Sequence, residues 1–495
     1  MNHMSKLGVV AGSLLACAGA AFGQNCSNGV IPTQCTPLGN CNGPDVIVGD
    51  LNGVSNYTNV GTIDAISVGT TSCNIGNVWL NWIQSTNQHP AISQTAFKMK
   101  TGANGVTTFE QIGQSWLKHG FFALSQNLCC SGCQSTDGTH LGVHCSDPYT
   151  SARNGSQGGL GPKWQVNAST GAFTYPPANP TWSGSVARRC QLKAAEMEPS
   201  SASVLYFVAG QYVTPDDATT NNGLNKYNNE SYRRCNVSGS GSAWTFSFNG
   251  TTQRAQQAIR AWQDNDSTVQ ETDVPVGSGT GFSEGLFIVA MKATDLGNGM
   301  WNYEYAVQNM NSHRSGGTFE VPVPAGVMVT NIGFHDVDYH SGDGPGNVNF
   351  SGTDWTASKI NGEVSDGSPL VWSTEDFAQN QSANALRWGT LYNFRFDANV
   401  APRPGEVTIG LWRPGNPGDP NSVMSSQGRV GVPGEIPVPT CPCDWNDVDG
   451  VNSQDFVDFL ADFFNNNADY NSSGLTDTQD FFDFLGCFFA PPMGC

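Results

Sequence analysis

Charge is scarce in this 495-residue chain. Only 13% of its residues are charged, against about a quarter in an average globular domain. Basic residues are the scarcer kind, 22 against 41 acidic ones, for a formal net charge of −19. Such a field repels phosphate backbones and anionic lipid surfaces, which excludes nucleic acid as a partner and favours divalent cations. Beyond the N-terminus no apolar run is long enough to span a bilayer, so no transmembrane segment is expected once the leader is removed. Signatures of common catalysts are missing too. There is no Gly-x-Ser-x-Gly elbow, phosphate-binding loop or His-Glu-x-x-His pair. No motif singles out the two carboxylates that a glycoside hydrolase needs.

The first positive signal is for export. A basic start, Met1 to Lys6, leads into an apolar stretch that ends in Ala21-Phe22-Gly23. That is the pattern of a secretory signal peptide over residues 1–23, cleaved before Gln24. Leu14-Leu15-Ala16-Cys17 also resembles a lipobox, which would acylate Cys17. The Leu before Ala16 suits that pattern poorly, and a conventional site follows it. Cleavage after Gly23 removes Cys17, one of 15 cysteines, and leaves an even fourteen. In an oxidising compartment these read as up to seven disulfides. The protein is thus expected to be secreted, outside the cell or attached to its surface.

Four regions follow the leader. Residues 24–240 are rich in Gly, Ser, Asn and Cys, and their short apolar runs between turn signals suggest either a β domain of their own or a continuation of the one that follows. Thr107 to Leu124 is the exception there, reading as a helix around Phe109, Ile112, Trp116 and Leu117. Residues 241–413 read as an antiparallel β-sandwich. Leu286-Phe-Ile-Val-Ala-Met is a buried strand, and Trp301, Tyr303, Tyr305 and Val307 alternate along the next. Further strands fall at Thr318 to Val323, Val327 to Phe334, Leu370 to Trp372, Tyr392 to Phe396 and Val407 to Trp412. Residues 414–440 carry repeated prolines and glycines and read as a semi-rigid linker. The expected fold is therefore mainly β, a disulfide-bearing sandwich-like body, with a small all-α module at residues 441–495.

That tail repeats with a period of 25 residues. Asp444-Trp-Asn-Asp-Val-Asp-Gly-Val-Asn-Ser-Gln-Asp is followed by Asp469-Tyr-Asn-Ser-Ser-Gly-Leu-Thr-Asp-Thr-Gln-Asp. Alternate residues of such loops can supply the oxygens that calcium prefers. The first loop offers Asp444, Asn446, Asn452 and Asp455; the second offers Asp469, Asn471, Ser473, Asp477 and Asp480. Val448 stands where the first loop needs a polar ligand, and Asp447 or Asp449 is placed to substitute. After each loop, Phe456, Phe459, Leu460, Phe463 and Phe464, then Phe481, Phe484, Leu485, Phe488 and Phe489, recur at helical spacing. Loop, helix pattern and period together resemble a type I dockerin. The Gln-Asp-Phe repeats and the terminal Gly494-Cys495 resemble the Gly-Cys-ending variant found in exported bacterial proteins. The resemblance implies an EF-hand-like module that binds calcium and docks on a cohesin-like or envelope partner.

The body matches no family with an assignable activity, and two histidine groups are its candidate metal ligands. His119, His140 and His144 could together hold copper or zinc. The spacing of Cys130, Cys133, His140 and His144 resembles a zinc motif, although disulfides suit the compartment better. Asp336, Asp338 and His340 would share one face if they lay on a strand. Two functions stay open: a calcium-anchored protein with a binding or structural body, and an anchored extracellular enzyme acting on polysaccharide. Carbohydrate is a candidate ligand class for the body.

Overall fold

The computed structural model describes residues 43–119, 121–178, 180, 183–220, 223–277, 284–417, 419–425, 429–435, 441–446, 448, 450–471 and 473–491. The leader, Cys17, Asp447, Asp449 and Gly494-Cys495 lie outside the described residues. The chain divides into two compact units, a body ending at Gly434 and a tail beginning at Glu435.

The body is built from antiparallel sheets. In the first, Val46–Val60, Ile63–Asn74 and Cys190–Lys193 lie side by side. The second centres on Ala91–Thr101, Val204–Val213 and Glu230–Ser240, with Thr107–Gln114 paired to the first of these. The third runs through Gln270–Val276, Gly285–Gly297, Met300–Asn309, Thr390–Ala398 and Met328–His335. The fourth includes Leu370–Ser373, Gly316–Val321 and Thr408–Leu411.

Core membership shows how these sheets stack. Val48, Val68, Ile92, Tyr206 and Val208 form a core between the first and second sheets. Tyr305, Phe319, Trp372 and Phe394 form another between the third and fourth. A third core joins the two sandwiches back to back, with Phe97, Phe109 and Phe207 against Leu286, Ile288 and Leu391. The two middle sheets are therefore covered on both faces. This explains why Leu286 to Met291 is apolar without alternation: Phe287, Val289 and Met291 face one core, and Leu286, Ile288 and Ala290 the other. Removing each such side chain from water stabilises the fold by about 1.5–3 kcal/mol.

Residues before and after position 240 belong to one compact unit, because the back-to-back core spans them, as the continuation reading allows. Two expectations need correcting. Residues 107–114 form a strand. Phe109 and Ile112 suit one face of a helix, but three residues apart on a strand they enter opposite cores, Phe109 the central one and Ile112 that of the first sandwich. The segment expected as a linker contributes strands Ser422–Met424 and Val430–Pro433 to the body. Cysteine pairing is also less complete than the even count suggests. Cys73–Cys129, Cys133–Cys145 and Cys443–Cys487 are disulfides, while Cys190 and Cys235 are buried free thiols.

In the tail, two helices span Ser453–Phe464 and Thr478–Phe489. Each begins with a capping box, Asn452 with Asp455 and Asp477 with Asp480. Phe459 and Phe484 stack at the centre with ring centroids 3.9 Å apart. Among the described residues no helix is long and apolar enough to cross a membrane.

Candidate functional site

The two tail loops repeat a set of backbone-to-side-chain hydrogen bonds. Asn446 N–H donates to Asp455 Oδ1 at 3.2 Å, and Asn471 N–H to Asp480 Oδ1 at 3.0 Å. Asn452 N–H and Asp477 N–H donate to the second oxygens of the same carboxylates, each at 2.8 Å. Val448 N–H reaches Asp444 at 3.1 Å and Asn446 Oδ1 at 2.9 Å; Ser473 N–H reaches Asp469 at 2.8 Å and Asn471 Oδ1 at 3.0 Å. Side-chain oxygens at the first and third loop positions thus turn towards one point inside each loop. Asp455 and Asp480 are fully buried, and their backbone donors hold the Asp480 carboxyl below its usual range. Gly450 and Gly474 take φ of +69° and +89°, which the sharp turn requires. The loops differ in places. Gly474 N–H donates to Asp469 Oδ2 at 2.7 Å, and Asn452 Nδ2 donates to the Gly450 carbonyl at 2.8 Å where the second loop has Asp477. The fifth position changes too. Ser473 adds a hydroxyl 3.5 Å from Asp469, whereas Val448 is 55% exposed and offers no oxygen.

In the body, neither expected metal cluster forms. Among the described residues no three His, Cys, Asp or Glu side chains are arranged to hold a metal ion. His119 pairs with His89, Nδ1 to Nε2 at 3.3 Å, among Phe121, Phe173 and Tyr175. Burial lowers the pKa of His89 to about 4 and of His119 to about 3, so both stay neutral. His140 lies elsewhere, beside Trp79 and 2.9 Å from the Thr139 hydroxyl, and the Cys133–Cys145 bond removes the zinc spacing. The strand Met328–His335 stops before Asp336. Asp336 then accepts from Asn384, Asp338 pairs with Lys193, and His340 turns towards Gln114.

A cleft around Trp116 does gather functional groups. It opens into a cavity of about 270 Å³ lined by Trp116, Arg188, Gln191 and His340. The Asp343 carboxylate receives the Trp116 indole N–H on one oxygen and the His340 backbone N–H, at 2.6 Å, on the other. His340 Nε2 lies 2.7 Å from the Gln114 carbonyl, so that nitrogen carries the proton. Nδ1 is left as an acceptor with no donor, on a side chain only 6% exposed. The Arg188 guanidinium sits 5.0 Å from the Trp116 ring centre, on backbone at φ +63°. A non-glycine residue in that region is strained, and such strain gathers at functional sites. Behind Trp116, a narrower space has room for about one water between Lys163, Tyr339 and Arg387.

His340 was legible from sequence, although its expected partners were wrong. Trp116 reads from sequence as an apolar helix-face residue, and Asp343 has no partner at a recognisable spacing. Arg188 carries no sequence signal, because it reaches the cleft through a loop more than 150 residues before His340. No protein-family model matches the chain, and no curated protein matches it.

Proposed function

We propose that residues 441–495 are a calcium-dependent attachment module of the dockerin type, on an exported chain whose body binds a ligand. The observation that carries this is the repetition at 25 residues of two loops whose first and third side-chain oxygens accept the same backbone N–H groups. The capping boxes repeat because each loop opens a helix, but the first and third positions repeat beyond what a helix start requires. The donors are carboxylate, amide and hydroxyl oxygens, which suit a hard cation. Asp444, Asn446, Asn452 and Asp455 would hold one ion, with Asp449 available to replace the ligand missing at Val448. Asp469, Asn471, Ser473, Asp477 and Asp480 would hold the other. Bound calcium would neutralise the converging carboxylates and fix the loops that set the helices.

Docking is supported by apolar side chains that the tail leaves in water. Phe464 is 79% exposed, Phe489 78%, Leu475 70% and Phe482 63%. Several large apolar side chains left in water on so small a unit favour an interaction surface, for which a cohesin-like or envelope protein is the proposed partner. Calorimetric titration of calcium into the full chain tests the module. Asp444→Ala and Asp469→Ala should each remove one ion from the stoichiometry, and an unchanged stoichiometry in both would refute the assignment.

For the body, the cleft favours a carbohydrate ligand. A small hydroxylated ligand in the cavity would meet the polar side chains of Arg188, Gln191 and Ser341 that line it beside Trp116 and His340. The cavity lies just below the roughly 300–1,000 Å³ of drug-sized sites. Asp343 is the one carboxylate that the described residues bring to this cleft, and both its oxygens are occupied. Two convergent carboxylates are what hydrolysis would require, so binding is preferred over an anchored polysaccharide-cleaving enzyme. A glycan array divides these: binding abolished by His340→Ala supports the reading, and hydrolysis of any bound glycan would favour the enzyme.

A further inference from the structure

Beyond each tail loop the helix carries a carboxylate that the ligand set leaves out. Asp458 and Asp483 lie three residues past Asp455 and Asp480, on the same helix face as those loop-ending carboxylates. Each pair divides the third loop residue between its members. Asp455 and Asp480 take the backbone N–H of Asn446 and Asn471. Asp458 Oδ2 takes the side-chain N–H of Asn446 at 2.8 Å, and Asp483 Oδ2 that of Asn471 at 3.1 Å. The other oxygen of each accepts from the side chain of Gln454 or Gln479, both at 2.8 Å. The Asn446 and Gln454 amides hold the Asp458 carboxyl below its usual range, so it acts as an acceptor only.

These contacts decide which end of the asparagine faces the loop. A side-chain amide is nearly symmetric in shape, but its oxygen accepts and its nitrogen donates. An ionised carboxylate cannot donate, and a backbone N–H cannot accept. Only one orientation of Asn446 therefore satisfies both Asp458 and the Val448 N–H, which donates to its Oδ1 at 2.9 Å. Asn471 is fixed in the same way between Asp483 and the Ser473 N–H, the latter at 3.0 Å. Turned over, either amide would present N–H to a cation and could not ligate it. Helix stability does not account for the arrangement. Asp458 bonds to Gln454 four residues earlier, a pair that supports any helix, but its bond to Asn446 reaches back 12 residues into the loop.

We infer, on the calcium reading of the loops, that Asp458 and Asp483 are positioning residues that hold the third-position asparagines oxygen-first towards the bound ion. Partners behind a metal ligand typically change affinity by about 10–100-fold. These two carboxylates therefore set how tightly each loop binds.

The test uses the full chain carrying Asp444→Ala, so that only the second loop is filled. Calorimetry gives its calcium affinity. Terbium, a calcium-like ion excited through the neighbouring Tyr470, reports the number of waters on the bound ion from its luminescence lifetimes in ordinary and heavy water. Asp483→Ala should weaken calcium binding about tenfold or more. It should also add one water to bound terbium, because Asn471 no longer presents its oxygen. Asp483→Asn keeps an acceptor and should bring both readings back towards the parent. Adding Asn471→Asp to Asp483→Ala should restore the water count, since a carboxylate offers oxygen either way round. Should Asp483→Ala not fold, Asp483→Ser, too short to reach Asn471, takes its place with the same expectations. Earlier melting with an unchanged water count would mark a structural role and overturn the inference. Unchanged affinity and water count in the folded variant would overturn it too, while leaving the calcium module standing. A parent chain that binds neither ion would sink both.

Discussion

Body and tail are held by different means. In the body, two of the four stacked sheets are covered on both faces, and cores of aromatic and branched side chains run without a break from one outer sheet to the other. The tail fully buries only Cys443, Phe459, Ala468 and Phe484 among its core residues. So small a core rarely suffices alone, and small modules rely on crosslinks or metals instead. A disulfide, two capping boxes and two polar loops take that role here. The difference teaches where loss of one crosslink, cap or loop contact would cost most: in the tail, whose core is small.

The largest effect should come from the tail's central stack. Phe484→Ala is expected to cost about 3–5 kcal/mol, abolishing the helices of the tail while the melting of the body stays unchanged in calorimetry. Loss of both transitions together would break the comparison. Cutting the Cys443–Cys487 crosslink by the double Ala substitution should cost roughly 2–4 kcal/mol, again confined to the tail transition.

The two units should also respond oppositely to pH. At the seam of the two sandwiches, burial pushes the Glu304 carboxyl up to about 8, against the opposing pull of Arg395. Its folded pKa exceeds its unfolded one, so its contribution is complete below the unfolded value of about 4.3. That contribution is lost as pH rises towards 8. Glu304→Gln should therefore flatten the fall in body stability between about pH 5 and 8, by on the order of 2 kcal/mol. Asp480 has the opposite sign. Its pKa is depressed, so its contribution is present above the unfolded value and is lost in acid, and Asp480→Asn should remove that acid sensitivity from the tail. The smallest effect belongs to the caps. Asn452→Ala should cost about 1 kcal/mol, read as earlier melting of the helix Ser453–Phe464.

The same contrast decides what could be read from sequence. Helix spacing in the tail is local, so the facing aromatic sets that include Phe459 and Phe484 are legible without tertiary information, although their central stack is not. The third sheet was legible because Leu286 to Met291 and the alternation of Tyr303 and Tyr305 are strand signals however they pack. The joining of the two sandwiches was not, since an apolar run covered on both faces looks the same whether it lies within one domain or between two. Thr107 to Leu124 failed for a related reason: residues serving opposite cores mimic helical spacing. The cleft brings Trp116 to His340 and Arg188 across long sequence separations, which composition and periodicity do not encode.

Calcium dependence of the tail is the central claim, and hydrogen–deuterium exchange on the full chain resolves it region by region. With calcium, amides of Ser453–Phe464, Thr478–Phe489 and the loops before them should become strongly protected relative to chelated protein, the second loop at lower calcium than the first. Identical exchange across residues 441–491 with and without calcium would contradict the account.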